Sequence, residues 1–506
     1  MKAFTYILSS LGIIFNTTSA WANVKEQSFN DRINEITLPI ANALKDFVFY
    51  EVKISGAEVP LVVVWLVAGS LFFTFYLKWI NIRAFKHAIE LVRGDYDDPD
   101  SHGEVSHFQA LATAVSGTVG IGNIGGVAIA VTLGGPGATF WLICAGVLGM
   151  STKFVECTLS VKYREEFDDG HVSGGPMYYL KYGLSSLGFK RLGAILGSIY
   201  AVGILLGALG IGNLFQSNQA YEQLKSVWGS SVDPVWVGVI LAILVFAVIL
   251  GGIKSIAQVT EKVVPFMAVL YCFFALIVIG LNWAVIPEAI QAIFTGAFTG
   301  NGITGGMLGV MVIGFQRAVF SNEAGIGSAS IAHSAVKTPE PVTEGVVALL
   351  EPFIDTIVIC TITALVITTS QIADPGFAGT SEGVAMTSAA FKRHMTWFPY
   401  PLAVAAVLFA LSTMISWSYY GLKGWSYLFG ESASGQMVYK AIYCIFVFLG
   451  PLLTLKPILD ISDALVFLIC IPNIFGLYLL APTVKREMNT YFGKIKSGQI
   501  KRHSER

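Results

Sequence analysis

Residues 116–137 read Ser-Gly-Thr-Val-Gly-Ile-Gly-Asn-Ile-Gly-Gly-Val-Ala-Ile-Ala-Val-Thr-Leu-Gly-Gly-Pro-Gly. The stretch is apolar enough to enter a lipid bilayer and too rich in glycine to hold one unbroken helix. Each of Gly117, Gly120, Gly122, Gly125 and Gly126 weakens a helix by about 1 kcal/mol relative to alanine. No bulk water receives freed backbone groups inside a bilayer, so a broken helix is tolerated where it lines a cavity. In membrane transporters such breaks hold substrate and ions. The segment therefore predicts an interrupted membrane helix with a binding site at the interruption.

The rest of the chain fits a membrane setting. Its 506 residues are 54% hydrophobic and 13% charged, whereas soluble domains carry about 25% charged residues. Apolar runs approaching the ~20 residues that cross a bilayer fall at about 60–80, 107–133, 138–161, 191–215, 235–253, 263–284, 303–320, 344–370, 400–417, 437–454 and 461–482. The expectation is an all-α polytopic membrane protein with eleven spans. A net charge of −1 argues against nucleic acid as a partner. The six cysteines form no CxxC pair and the seven histidines are scattered, so neither a metal centre nor a disulfide framework is expected. There is no GxSxG, HExxH or Walker A pattern. The chain is thus expected to be no enzyme, to need no cofactor and to draw on an ion gradient.

Residues 1–22 read as a signal peptide: Lys2, an apolar run from Phe4 to Phe15, then Ala20-Trp21-Ala22. A retained membrane segment is the alternative. Residues 23–59 follow as an extracytoplasmic extension, and 60–80 as an accessory helix. Lysine and arginine concentrate on one side of the spans, at Arg83, Lys86, Arg93, Lys153, Lys162, Arg164, Lys181, Lys254, Lys262, Arg317 and Lys337, and in the tail 483–506. Fewer fall on the other side, among them Lys45, Lys225, Lys392 and Arg393. The positive-inside rule then places the chain in the cytoplasmic (inner) membrane, with its N-terminus outside and its C-terminus inside. The basic tail is expected along the anionic inner leaflet. The ten spans after the accessory helix divide into halves of opposite topology, 107–284 and 303–482, which is a five-plus-five inverted repeat. A second interrupted helix should open the second half. The run through Gly305, Gly306, Gly309 and Gly314 and on from Phe315 to Gly327 is its counterpart.

Several polar residues stand out in these spans. Thr118 and Asn123 flank the first break, where helix-end N–H groups can hold a carboxylate and freed carbonyls a sodium ion. Gly122 and Gly126 also fit a spacing that merely lets helices pack closely. Asn213 and Gln216 share a helical face, for a substrate or for a neighbouring helix. Arg317, Ser321, Asn322 and Glu323 suggest an inner gate built on an Arg317–Glu323 pair. Glu351 and Asp355 lie four apart. Asp355 would serve proton or cation coupling, or pair with Arg317 or a backbone donor. The hydroxyls of Ser412 and Thr413 can complete an oxygen shell for a hard cation begun by carbonyls near Ala114 and Gly117, or can back-bond to their own helix. Trp417 is a pocket wall or a packed aromatic.

Six blocks carry a resemblance: Gly117-Thr-Val-Gly-Ile-Gly-Asn-Ile124, Gly134-Gly-Pro-Gly-Ala-Thr-Phe-Trp141, Lys162-Tyr-Arg164, Gly174-Gly-Pro-Met-Tyr-Tyr179, Phe320-Ser-Asn-Glu-Ala-Gly-Ile-Gly-Ser328 and Phe353-Ile-Asp-Thr356. In these the chain resembles the alanine or glycine:cation symporters, the sodium:alanine symporter family, from about residue 60 to 485. It departs from the family after Trp141, where Leu142-Ile143 stands in place of the usual Met-Trp. The resemblance implies a leucine-transporter-like fold with an extra N-terminal helix. It also implies Na⁺-driven import of alanine, glycine or another small neutral amino acid. Thr118, Gly120, Asn123, Gln216 and Phe315 would surround the substrate. Ala114, Gly117, Ser412 and Thr413 would hold Na⁺, and Arg317, Glu323 and Asp355 would serve gating or coupling. Glutamine transport, proton coupling, and a channel or amino-acid sensor on the same fold are the alternatives.

Overall fold

The protein is described from a computed structural model, which covers residues 38–39, 42–54, 57–97, 101–168, 170–300, 305–377, 383–394, 396–453 and 455–502. The signal-peptide reading of residues 1–22 lies outside the described residues. The extension ends in an antiparallel hairpin, β1 (Glu51–Ile54) and β2 (Ala57–Pro60). Ala57 and Val59 pack on Val312 and Leu308. The extension thus seats on the helix that opens the second half. The accessory helix α1 (Leu61–Tyr76) follows directly.

The chain is helical thereafter, apart from one two-residue strand pair at 165–166 and 172–173. The first interrupted helix consists of α2 (His107–Thr118), a loosely wound π segment (Gly122–Gly126) and α3 (Val127–Gly134). The two halves are bent by 52°. A capping box starts α2: Ser106 Oγ accepts from Gln109 N–H, and Gln109 Oε1 accepts from Ser106 N–H. Then come α4 (Ala138–Lys162), α5 (Lys190–Leu209), α6 (Phe215–Trp228), α7 (Pro234–Ile249) and α8 (Gly252–Leu281). A π turn at Gly210–Leu214 joins α5 to α6, so this span runs well beyond the expected limit of residue 215. A helix at Ile286–Thr299, not expected from hydropathy, bridges the halves.

The second half comprises α9 (Gly306–Asn322), α10 (Pro341–Val347), α11 (Thr361–Ala373), α12 (Pro399–Phe429), α13 (Ala433–Leu449) and α14 (Leu455–Lys496). Among the described residues, seven uninterrupted helices are long and apolar enough to cross a membrane, and the bent pair makes an eighth. Shorter apolar helices such as α1 and α7 accompany them. This is a multi-pass membrane protein.

Two expectations are narrowed. Within the expected run 305–327 the second interruption does not fall on Gly309 or Gly314, which α9 carries in continuous helix after a left-handed start at Gly305 and Gly306. It falls at Glu323–Ser328, where Glu323 turns left-handed (φ 56°) and Gly325 (φ 93°) and Gly327 (φ 88°) continue the turn. A left-handed non-glycine residue costs about 1–2 kcal/mol. Asn322 offsets part of this by accepting the Ala324 N–H on Oδ1 at 3.0 Å. Part of the basic tail's charge is met by the protein. Lys494 pairs with Glu340 at 2.5 Å, Arg502 pairs with Glu90, and Lys485 sits 4.1 Å from the centre of the Tyr76 ring. The far end of α14 therefore docks on the protein itself.

Helices pack where small residues let backbones meet. A Cβ on Gly424 would lie 2.9 Å from Ala201 O, bringing α12 onto α5. A Cβ on Gly314 would lie 2.7 Å from both Ala138 O and Trp141 Cβ, bringing α9 onto α4. Without a hydrophobic drive inside lipid, such close packing is a main source of helix association. Gly314→Val should therefore destabilise the purified protein by about 1–3 kcal/mol, read as a lower melting temperature in detergent. An unchanged melting temperature would show that α9 and α4 can separate without cost.

Candidate functional site

The site is built on the first break. Helix α2 stops at Thr118, and the chain runs through Val119–Ile121 before the π segment begins. Asn123 holds this loop in shape: its Oδ1 accepts the Gly120 N–H at 2.9 Å. Its amide nitrogen donates to Asp355 Oδ1 at 2.5 Å and to Asp355 O at 3.3 Å. Asp355 belongs to a second π-helical stretch, Phe353–Cys360. A π turn shifts the register by one residue and turns the carboxylate toward both breaks. Asp355 Oδ2 accepts from Ser321 Oγ at 2.9 Å and from Thr356 Oγ1 at 2.7 Å. Asn322 Nδ2 donates to Thr356 Oγ1 at 2.9 Å. One buried carboxylate, met by three neutral donors, thus joins α2–α3, the end of α9 and the helix between α10 and α11.

The opposite wall comes from α6 and α12. A Cβ on Gly120 would lie 2.9 Å from Thr413 Oγ1 and 3.3 Å from Gln216 Oε1. Thr413 Oγ1 donates to Ser116 O at 3.0 Å, and Ser116 Oγ donates to Ser412 O at 2.8 Å. The Trp417 indole N–H donates to Gly117 O at 3.2 Å. The carbonyls freed at the break are therefore met by α12. Gln216 Nε2 donates to Ile211 O at 3.2 Å. Its Oε1 is buried and accepts no hydrogen bond among the described residues.

The expected site residues divide on this geometry. The structure brings Gly117, Gly120, Asn123, Gln216 and Thr413 to one place. Ala114 lies one turn below, its carbonyl 3.4 Å from Thr118 Oγ1. Thr118 turns back on its own helix, bonding to Ala114 O and Val115 O. Ser412 likewise donates to Phe409 O at 3.0 Å and meets Met267 Sδ at 3.4 Å. Phe315 packs on Trp141, with ring centres 6.3 Å apart. The ring over the break is Phe320 instead, 3.4 Å from a Cβ built on Gly122 and edge-on to Phe215.

Arg317 and Glu323 do not form the expected inner gate. Arg317 lines a cavity of about 570 Å³ with Glu222, Gln219, Phe215, Phe320 and residues 383–385. That is the face with Lys225, assigned to the outside by the charge distribution. Arg317 is eleven residues into α9, about 16 Å from its start at 1.5 Å per residue. Glu323 is buried on the other side of the break and is bonded by Ser328 Oγ. The cavity leads down to Gly125 and Gly126. At the opposite face, the Arg164 guanidinium ties together the carbonyls of His102, Ser334, Val336 and Thr338. The described conformation is open toward Lys225 and sealed at Arg164.

Sequence reasoning missed Phe320, Tyr420 and Arg164, and the buried charges Lys153, Glu156, His107, His333 and Glu344. Lys153 and Glu156 had a signal available, since both stand inside the apolar run 138–161. Tyr420, whose hydroxyl would lie 2.8 Å from a Cβ on Gly117, had none.

Comparison with known proteins follows the same lines. The model of the sodium:alanine symporter family matches residues 44–505. The sodium/alanine symporter AgcS of Methanococcus maripaludis is 40% identical over 444 residues, 87% of this chain and 96% of that protein. GlnT of Bacillus subtilis, described as a probable sodium/glutamine symporter, is 33% identical over 442 residues, 87% and 89% of the two chains. The crystal structure of MhsT in complex with L-phenylalanine superposes with a TM-score of 0.56 at 15% identity, over 75% of this chain and 89% of that one. The fold is thus the leucine-transporter-like one expected. Gly120→Ala tests the site directly, because its methyl group would occupy the space between Thr413 and Gln216. Uptake should fall by at least about tenfold, with the melting temperature within about 3 °C of the parent. Full uptake by this variant would remove Gly120 from the site.

Proposed function

The chain belongs to the sodium:alanine symporter family, and from that membership we propose that it imports alanine or glycine together with Na⁺ by alternating access. It is a transporter and no enzyme. The observation that carries the substrate class is the buried, unpartnered Gln216 Oε1 beside Gly120 and Thr413. A buried acceptor left unpaired costs about 1–3 kcal/mol, and an α-ammonium group is a strong donor to relieve it. The N-terminal end of the half-helix that starts near Gly122 suits the α-carboxylate. The close approach of Thr413 and Gln216 to Gly120 favours a small side chain. Phe320, rather than Phe315, is the aromatic cover in this reading, and Thr118 and Gly120 supply backbone.

Na⁺ is carried as a second substrate. Its proposed ligands are Thr413 Oγ1 and the carbonyls of Ala114 and Gly117, a set of hard oxygens. Ser412 is a weaker candidate, because its hydroxyl turns back on its own helix at Phe409 O and meets Met267 Sδ, whereas Thr413 Oγ1 reaches across to the first interrupted helix at Ser116 O. Na⁺ at this place would tie α2 to α12 and favour the state in which the break is ordered, which is what coupling requires. The halves 107–284 and 303–482 are proposed as the repeats that exchange, in the inner membrane, with the N-terminus outside and the tail inside. Arg317 would then act at the outer mouth, and Asp355 as the anchor of the break.

Uptake of radiolabelled alanine and glycine into proteoliposomes, with and without an inward Na⁺ gradient, tests this reading. Accumulation of either, abolished when the gradient is collapsed, is expected, and accumulation of neither would overturn it. Thr413→Ala should raise the Na⁺ concentration for half-maximal uptake by about tenfold, the value of one lost ligand of about 1.4 kcal/mol. Ser412→Ala should raise it less. The reverse order would move the ion to Ser412.

A further inference from the structure

A second polar system lies on the far side of the breaks and plays no part in the site described above. His107, at the start of α2, meets the Glu344 Oε1 of α10 through Nδ1, and its Nε2 lies 3.8 Å from Asp97 Oδ1. Glu344 Oε2 meets His333 Nδ1 at 2.5 Å. His333 Nε2 then faces Glu351 Oε2 at 3.9 Å. Glu351 Oε1 meets Lys153 Nζ of α4 at 2.8 Å. His107, His333, Glu344, Glu351 and Lys153 are all buried, whereas the Asp97 side chain is 41% exposed. The line runs from the protein surface to the interior, alternating carboxylate and imidazole.

Two features separate this line from a structural ion-pair network. Each histidine presents its two ring nitrogens to two different carboxylates, so a proton can arrive on one nitrogen and leave from the other. The line also has two open joints, one at the exposed mouth between Asp97 and His107 and one in the interior. His333 Nε2 and Glu351 Oε2 are both buried and both lack a hydrogen-bond partner among the described residues. Leaving such atoms unpaired costs about 1–3 kcal/mol each, and a purely structural network would close a gap that an approach of about 1 Å turns into a hydrogen bond. Glu156 Oε2, at the inner end, is unpaired as well.

We propose that Asp97, His107, Glu344, His333 and Glu351 form a proton relay that loads a buried proton-binding site, the carboxyls of Glu351, Glu156 and Glu323 around Lys153, from the face bearing Asp97. The proton balance is simple. Asp97 takes a proton from water and, on closing toward His107, passes it to Nε2, while the Nδ1 proton of His107 moves to Glu344 Oε1. The Glu344 carboxyl, neutral once it holds that proton, turns to hand it to His333 Nδ1, and His333 Nε2 delivers its own proton to Glu351 Oε2 when the inner joint closes. Each relay group regains its starting charge, and one proton has moved inward. The groups facing the inner end are Lys153, Glu156 and Cys157 from α4, Tyr179, Tyr200 from α5, Glu323 from the second break, Asp355 from the π-helical stretch before α11, and Tyr420 from α12. Lys153 is the one fixed cation in that set. Three carboxyls sharing one ammonium in a low-dielectric interior can exchange a proton at far lower cost than an isolated buried carboxylate could. Glu323 sits at the second break, which brings the loaded site to an element of the substrate pathway.

The test uses the full chain in lipid nanodiscs with neither Na⁺ nor amino acid, so its outcome is independent of the transport reading. Infrared difference spectra between about pH 9 and about pH 5 read the C=O stretch of carboxyls that gain a proton. The wild type should show a buried-carboxyl band that Glu351→Gln diminishes. After a pH jump, His333→Gln should slow the band by at least about tenfold. Asp97→Asn, at the exposed mouth and harmless to the core, should slow it by a smaller factor, which keeps the test open should an interior variant fail to fold. A wild-type spectrum without the band, or a band with the same amplitude and rate in the wild type and in every folded variant, would overturn the proposal.

Discussion

The hydrogen bond from Asn123 to Asp355 is the constraint on which the rest of the site depends. A membrane helix can be broken only if its freed polar groups are met within the protein. Asn123 meets them at the first break, accepting Gly120 N–H on one side and donating to Asp355 on the other. Asp355 in turn receives Ser321, beside the second break, and Thr356. Both breaks thus hang on one carboxylate, and neither can change shape without altering the hydrogen bonds of the other. An acid stripped of these donors would be a bare charge in a low-dielectric interior, a penalty of several kcal/mol.

Polar chemistry is distributed unevenly about this anchor. On the open side lie Arg317, Glu222 and the aromatic pair Phe215–Phe320, around a cavity that reaches the π segment. On the sealed side lie Arg164, with its carbonyl partners, and the buried line from Asp97 to Lys153. The described state therefore has an accessible cavity on the face with Lys225, while hydrogen bonds and ion pairs close the face with Arg164.

Much of this was legible in the sequence, for physical reasons. Five glycines in an apolar segment announce a break, because each lowers helix stability wherever the helix sits. Thr413 and Gln216 stand out in the sequence because an uncompensated polar side chain in a membrane span needs a partner, and both side chains approach Gly120. The second break was legible only to within the run 305–327. Gly314 looks like a helix breaker but acts as a contact surface for α4, whereas Glu323, a non-glycine residue, takes the left-handed turn, with Asn322 accepting the Ala324 N–H and Ser328 Oγ bonding the Glu323 carboxylate. Phe315 and Phe320 differ only in the face of α9 they occupy, and that face is fixed by packing against Trp141 and Phe215.

An amide–carboxylate exchange tests the central claim most directly. Placing the acid on the first break and the amide on the π-helical stretch, as Asn123→Asp with Asp355→Asn, preserves the hydrogen bond with its direction reversed. Gly120 N–H and Ser321 Oγ would still find acceptors. Na⁺-driven uptake should be strongly impaired in each single variant and largely restored in the double variant, as expected for residues coupled through one interaction. A double variant as impaired as the sum of the two single variants would show that the two breaks are not joined through this pair, and would contradict the account.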